Sequence, residues 1–296
     1  MSIKKNKTRF SDFSIEVPAK WVLTGEHAVL RGKTALAFPH DTVSLKLTYT
    51  NQEKFSITAN PFQPQIRALI GRALDYLGLP ADKFENGEID IQSRIPIGGG
   101  LGSSAALCVA ISRLVLWKTG APLEKWGDLA THLEDLFHGK SSGMDVQVIV
   151  ESQPILFTMG KKAEVLGLEN LPRFELYDSG KRGQTRECIE IVKHWQGKYP
   201  HLVIQMDDQM DEATTLAKKG LELFSTQPRA GEDLIAKAMN LAQNCFETWG
   251  LITPELMEQK HELLKQGALA VKLTGAGLGG FWVALWRPNS PKLDTA

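Results

Sequence analysis

The segment PIGGGLGSSAA, residues 96–106, carries the densest chemistry in the chain. Gly98, Gly99, Gly100 and Gly102 have no Cβ, so the backbone can approach a ligand closely, and Leu101, Ser103 and Ser104 complete a loop placed where a helix should start. Amides and hydroxyls at a helix N-terminus, with the positive end of the helix dipole behind them, suit a phosphate. A plain strand-to-helix turn explains one or two such glycines, but not four within five residues followed by two serines. The loop is not a Walker A sequence. GKT at Gly32 and GKS at Gly139 each need a glycine five residues earlier and have His27 and Glu134 there. Gly275, Gly277 and Gly280 match GxGxxG, but they lead into an apolar β run rather than a helix, which argues against a dinucleotide fold.

These residues need elements to hold them. EIDIQSRIPI alternates apolar and polar side chains, placing Ile89, Ile91 and Ile95 in a strand that runs into the glycine loop. The helix that follows starts at Ser103 or Ser104 and runs to about Lys118, before Gly120 as C-cap; it is apolar on nearly all faces and so should be buried. Upstream, FSIEV, KWVLTGEHAV and VSLKLTYT read as sheet, with Val43, Leu45, Leu47 and Tyr49 on one face. A helix is predicted over 64–77 and another from Pro122 through Phe137, followed by short apolar runs in DVQVIV, PILFTM and RFELYD. Residues 185–265 read as helical, and the chain closes with ALAVKLT, a glycine loop and FWVALW as two strands. The class is α+β, with a boundary expected near residues 165–180.

Composition narrows the function. The 296 residues are 43% hydrophobic, enough for a substantial core, and Lys plus Arg equals Asp plus Glu at 34 each, so no net field draws the chain to nucleic acid or an anionic membrane. Cys108, Cys188 and Cys245 have no CxxC or metal spacing and read as structural thiols of a reducing compartment. His132 and His138 fit no HExxH zinc pattern. The basic N-terminus lacks the apolar stretch of a signal peptide, no later segment is long and apolar enough to span a membrane, and a cytoplasmic location is the expectation.

Four segments together resemble a known family. PIGGGLGSSAA is similar to the phosphate loop of the GHMP kinases, named for galactokinase, homoserine kinase, mevalonate kinase and phosphomevalonate kinase. PAKWVLTGEHAVLRG (18–32), GKSSGMD (139–145) and KLTGAGLGG (272–280) resemble that superfamily's N-terminal motif, catalytic aspartate segment and C-terminal glycine motif, in the family's order. The string GEHAV brings the likeness closest to the mevalonate kinase branch, although Ser141 stands where proline is frequent there and Gly99 where alanine is. The resemblance implies an N-terminal domain like the second domain of ribosomal protein S5 over 1–170 and a ferredoxin-like domain over 171–296, with the site between them. It implies phosphorylation of mevalonate by ATP with Mg²⁺, and a homodimer. A phosphomevalonate kinase would need extra cations, and a non-catalytic ligand sensor should have lost catalytic groups.

Carried over residue by residue, the family assigns Asp145 to orienting or deprotonating the substrate hydroxyl and Lys20 to lowering that hydroxyl's pKa or stabilising charge beside it. Ser104 and Glu134 become the Mg²⁺ ligands, a hard-oxygen set completed by ATP phosphates. Helix geometry supports Glu134 over its neighbour: at about 100° per residue, Trp126, Leu129, Leu133 and Phe137 form an apolar stripe that Glu134 borders, while Asp135 faces away and reads as solvated. Glu26 and His27 fall on positions that line the mevalonate site. In DSGKRGQTRE, Lys181, Arg182, Thr185 and Arg186 form a candidate set for an anionic group of either ligand.

Overall fold

The computed structural model describes residues 12–58, 61–138 and 141–290, apart from the side chain of His138. Gly139 and Lys140 of the GKSSGMD string lie outside the described residues. The period-two alternation of the N-terminal third builds a mixed sheet around β2 (Ala35–Thr50), which pairs antiparallel with β1 (Phe13–Thr24) on one edge. Its other edge takes β4 (Glu88–Ser93) and β5 (Ile155–Phe157); β3 (Ser56–Ile57) and β6 (Glu164–Val165) complete the six strands. Leu45, Leu47 and Tyr49 are buried on one face, as the alternation requires. Ile95 does not belong to β4 as expected. The ladder stops after Arg94 N–H donates to Ser44 O, because Pro96 has no N–H to continue it.

Four helices cover this sheet: α1 (Gln63–Leu77), α2 (Ser103–Thr119), α3 (Trp126–His138) and α4 (Met144–Glu151). The all-round apolar α2 is the buried central one, with Gly120 as its left-handed C-cap. Pro122 opens a short 3-10 turn, Leu123–Lys125, before α3 begins. The run DVQVIV is helical in α4; an apolar segment this short has no period that separates strand from buried helix.

After β6 the chain enters a three-stranded antiparallel sheet, ordered β7 (Arg173–Asp178), β9 (Phe281–Trp286), β8 (Ala270–Thr274). The helices α5 (Thr185–Lys198), α6 (Pro200–Phe224), α7 (Pro228–Thr248) and α8 (Pro254–Lys265) lie between β7 and β8 in sequence. The C-terminal glycine run is the turn of the β8–β9 hairpin, so it opens no helix.

The two sheets are joined by polar contacts at fixed positions. Thr274 Oγ1 accepts from Val22 N–H at 2.9 Å and donates to Val22 O at 3.0 Å, stitching β8 to β1. The turn after β1 is anchored to α6, where the Arg31 guanidinium is bidentate on Asp207 at 2.5 and 2.6 Å and Thr34 N–H donates to Asp211. The first hydrophobic core crosses this junction, taking Ala217 and Leu221 from α6 and Ala238 and Met239 from α7. Among the described residues no helix is long and apolar enough to cross a membrane.

Candidate active site

A cavity of about 640 Å³ opens where β1, the glycine loop, α3, α4 and the β8–β9 turn meet. Two helix N-termini reach it. Ser103 and Ser104 form the first turn of α2 behind the N-cap Gly102, and Asp145 sits in the first turn of α4 behind Gly143. Both starts carry positive helix-dipole ends, which suits the acidic Asp145 at one and an anion at the other.

Lys20 reaches the cavity because the β1–β2 register slips between Pro18 and Lys20, a bulge that re-aims the side chain. Its N–H donates to Leu101 O at 3.0 Å, tying β1 to the glycine loop. Its ammonium lies 2.9 Å from Asp145 Oδ2, with Lys20 4% and Asp145 28% exposed. The Lys20 stem passes over Gly102, where a Cβ would meet Cγ at 2.8 Å. Gly102, at φ +75°, is thus required by a neighbouring side chain as well as by its conformation. Gly100 packs against the C-terminal motif in the same way, since its Cβ would meet Thr274 O at 3.0 Å and Gly275 Cα at 3.1 Å.

Glu134 is buried at 1% exposure, and its Oε2 accepts from Ser141 Oγ at 2.5 Å. Burial, then the nearby Asp145 carboxylate, pushes the Glu134 carboxyl up to about 7, against the pull of Ser141 and Lys20. The Glu134 carboxylate, with Asp145 nearby and Ser104 lining the same cavity, makes a hard-oxygen donor set whose charge a divalent cation would relieve; the residues fit Mg²⁺. Among the described residues no three His, Cys, Asp or Glu side chains cluster as a metal site, so ligand oxygens would have to complete the coordination. Asp135 is not simply solvated, because its Oδ1 accepts from Ser141 N–H at 3.0 Å and so shapes the loop that carries the serine. Sequence reasoning noted Ser141 only as a departure from the family. Its contact with Glu134, seven positions earlier, is one that residue type and spacing do not show.

Glu26 and His27 follow β1 in a tight turn, with His27 at φ 59° and ψ −46°, a conformation costly for a residue with a Cβ. Both line the cavity and are 5% exposed. His27 Nε2 lies 2.7 Å from Ala276 O, and since a carbonyl only accepts, that nitrogen carries the proton. The ring packs edge-on to Trp249, and burial pushes its pKa down to about 4, so it is a neutral imidazole. Glu26 Oε1 accepts from Lys272 of β8, a contact that sequence spacing could not reveal.

Lys181, Arg182, Thr185 and Arg186 divide. Thr185 lines the cavity; Lys181 O accepts from Gly280 N–H, and Arg182 is bidentate on Asp178 at 2.6 Å. Arg186 is exposed at the start of α5. The three cysteines are free and buried.

Comparison with known proteins bears on the family and the fold. The family GHMP kinases N terminal domain matches residues 67–153, and GHMP kinases C terminal matches residues 230–292. The mevalonate kinase of Thermococcus gammatolerans is 28% identical over 94% of this chain and 90% of its own, and that of Pyrococcus furiosus 29% over 93% and 89%. The crystal structure of the Methanococcus jannaschii mevalonate kinase superposes with a TM-score of 0.75 at 21% identity, covering 95% of this chain and 93% of that one; at this identity the likeness speaks for the fold.

Proposed function

The chain belongs to the GHMP kinase family, and from that premise we propose that it transfers the γ-phosphoryl group of ATP to the primary hydroxyl of mevalonate, giving ADP and 5-phosphomevalonate. The observation that carries the proposal is the Lys20–Asp145 pair at 2.9 Å, set between two helix N-termini on one cavity. Phosphoryl transfer asks for an aligned nucleophile and a field for the charge that develops, with little covalent chemistry from the protein. Asp145 accepts the hydroxyl's hydrogen bond and aligns or deprotonates it. Lys20 holds that carboxylate in place and faces the negative charge that builds up.

The triphosphate lies along residues 98–104, against the first turn of α2, with the base in the apolar end lined by Leu45, Phe62, Ile66 and Ile91. Ser104 and Glu134 would hold Mg²⁺, which when bound neutralises phosphate charge. Glu26 offers an acceptor to a substrate hydroxyl, the His27 imidazole supplies a neutral wall, and the substrate carboxylate turns to Thr185 at the head of α5. The same resemblance supports a cytoplasmic homodimer, which light scattering on the purified chain tests for assembly.

A phosphorylated acceptor fits less well. The cavity lining carries one lysine, Lys20, which is already paired, against the carboxylates of Glu26, Glu134 and Asp145. A phosphomonoester brings up to two further negative charges, with no spare cation among the described residues of the lining to meet them. The proposal is tested by ³¹P NMR of the products formed from ATP and mevalonate. A phosphomonoester on the primary carbon supports it, and ATP recovered intact, or hydrolysed to free phosphate alone, contradicts it.

A further inference from the structure

Lys272 is 0% exposed, in the middle of β8, and the mechanism above gives it no task. Its ammonium donates to Glu26 Oε1 and to Leu273 O at 2.6 Å, and it lies 4.7 Å from the centroid of the Phe246 ring. Glu26 answers with one oxygen only. Oε2 is buried and has no hydrogen-bond partner among the described residues, although Glu26 lines the cavity. Thr274, two residues along β8, bonds both the N–H and the O of Val22, so the position of Lys272 relative to β1 is fixed.

A buried ion pair is a poor way to stabilise a fold, since apolar replacements of both partners are often neutral or better. A buried carboxylate that keeps one oxygen unpaired is poorer still unless something else donates to it. We propose that Lys272 is a positioning residue for substrate: it keeps Glu26 ionised and turned so that Oε2 stays available as the acceptor for a hydroxyl of the phosphoryl-accepting alcohol. The inference rests on the functional reading above and extends it to a residue outside the cavity lining. The physical logic is a balance at Glu26. Burial pushes its carboxyl up, and Lys272 is the chief opposing influence, through charge and hydrogen bond. Without Lys272 that opposing influence is lost, the carboxyl holds a proton more readily, and once protonated one of its oxygens becomes a donor rather than an acceptor.

Other charged or titratable groups face the pair from every side: Lys20 on β1, His27 and Arg31 in the turn after it, Asp207 on α6 and Cys245 on α7. His27 titrates at about 4 and Cys245 at about 12, so neither produces a transition between pH 6.5 and 9.

The test is steady-state kinetics of Lys272→Met across that pH range, beside wild type and the double variant Lys272→Met/Glu26→Gln. For Lys272→Met we expect the KM for mevalonate to rise about tenfold near neutrality, with kcat within about threefold and the KM for ATP unmoved. That elevated KM should fall as pH rises and Glu26 ionises, whereas the double variant, which keeps Glu134 and every other cavity group but has no carboxyl at position 26, should lose that component and follow the pH profile of wild type. A Lys272→Met variant with an unshifted, pH-independent KM overturns the proposal. So does one that loses kcat and both KM values together in step with its melting temperature, since that pattern marks a purely structural lysine. Should the methionine variant not fold, Lys272→Gln, which keeps a neutral donor, carries the same test with the same two outcomes. Wild type is measured first: its failure to phosphorylate mevalonate would overturn the functional reading, whereas normal wild-type turnover with an insensitive Lys272 variant would overturn only the role of Lys272.

Discussion

Lys20 Nζ lies 2.9 Å from Asp145 Oδ2, the lysine buried and the carboxylate half turned to the cavity. The pair is held from three directions: a bulge in β1 aims the lysine, Gly102 gives its stem room, and the first turn of α4 presents the aspartate.

If Asp145 aligns or deprotonates the acceptor hydroxyl, Asp145→Asn keeps the shape and removes the proton-accepting charge. Turnover should then fall by at least about 10², while ATP and mevalonate affinities change far less. Calorimetric titration of both ligands beside single-turnover phosphorylation reads the two effects separately. Near-normal turnover would remove Asp145 from the chemistry, and a parallel collapse of binding would make it a structural residue.

Glu134 and Asp135 are neighbours with different tasks. Glu134→Gln should cut turnover strongly and raise the Mg²⁺ concentration needed for half-maximal rate, because a neutral amide is a poorer ligand for a hard cation. Asp135→Asn should change little, since its amide oxygen still accepts from Ser141 N–H. Equal losses in the two variants would contradict the assignment.

Gly102→Val should weaken ATP binding and also lower turnover in a chain that still folds. The valine Cβ would collide with the Lys20 side chain at 2.8 Å, and φ +75° disfavours any β-branched residue. Circular dichroism with nucleotide titration and turnover checks this; unchanged ATP affinity in a folded variant would dissociate the loop from phosphate.

How much of this was legible in the sequence differs residue by residue. The glycine loop and buried α2 follow from local requirements, a missing Cβ and an apolar surface on every face, so both could be read directly. The family likeness proposed Glu134 and the helical angle favoured it over Asp135, although the contact of Asp135 with Ser141 escaped both. The helical state of the α4 run stayed open because a short apolar stretch carries no decisive period, and β4 ends at Ser93, short of Ile95, because Pro96 has no N–H to continue the ladder. Lys20 and Asp145 could be paired only through the family motifs. Lys272 with Glu26, 246 positions apart, and Arg31 with Asp207, 176 apart, were invisible, because such pairs depend on how two remote segments pack.

His27 gives the chain an acid-sensitive element. Its folded pKa of about 4 lies below the ordinary 6.5, so the folded state binds fewer protons between these values. The associated stability is fully present above pH 6.5 and is lost as pH falls toward 4, up to about 3 kcal/mol in all. Glu134, raised to about 7, acts in the opposite sense over part of the same window, so the comparison must be between variants. Urea midpoints at pH 7 and pH 4.5 should converge for wild type and His27→Gln on acidification. A constant gap would show that His27 is not buried neutral.

The central claim is the identity of the acceptor, and the most direct measurement is ADP release by the purified chain with ATP, Mg²⁺ and, in separate reactions, mevalonate, phosphomevalonate, galactose or homoserine. The account predicts stoichiometric release with mevalonate and only background with the other three. Release with phosphomevalonate that outpaces mevalonate, or no acceptor-dependent release at all, would contradict it.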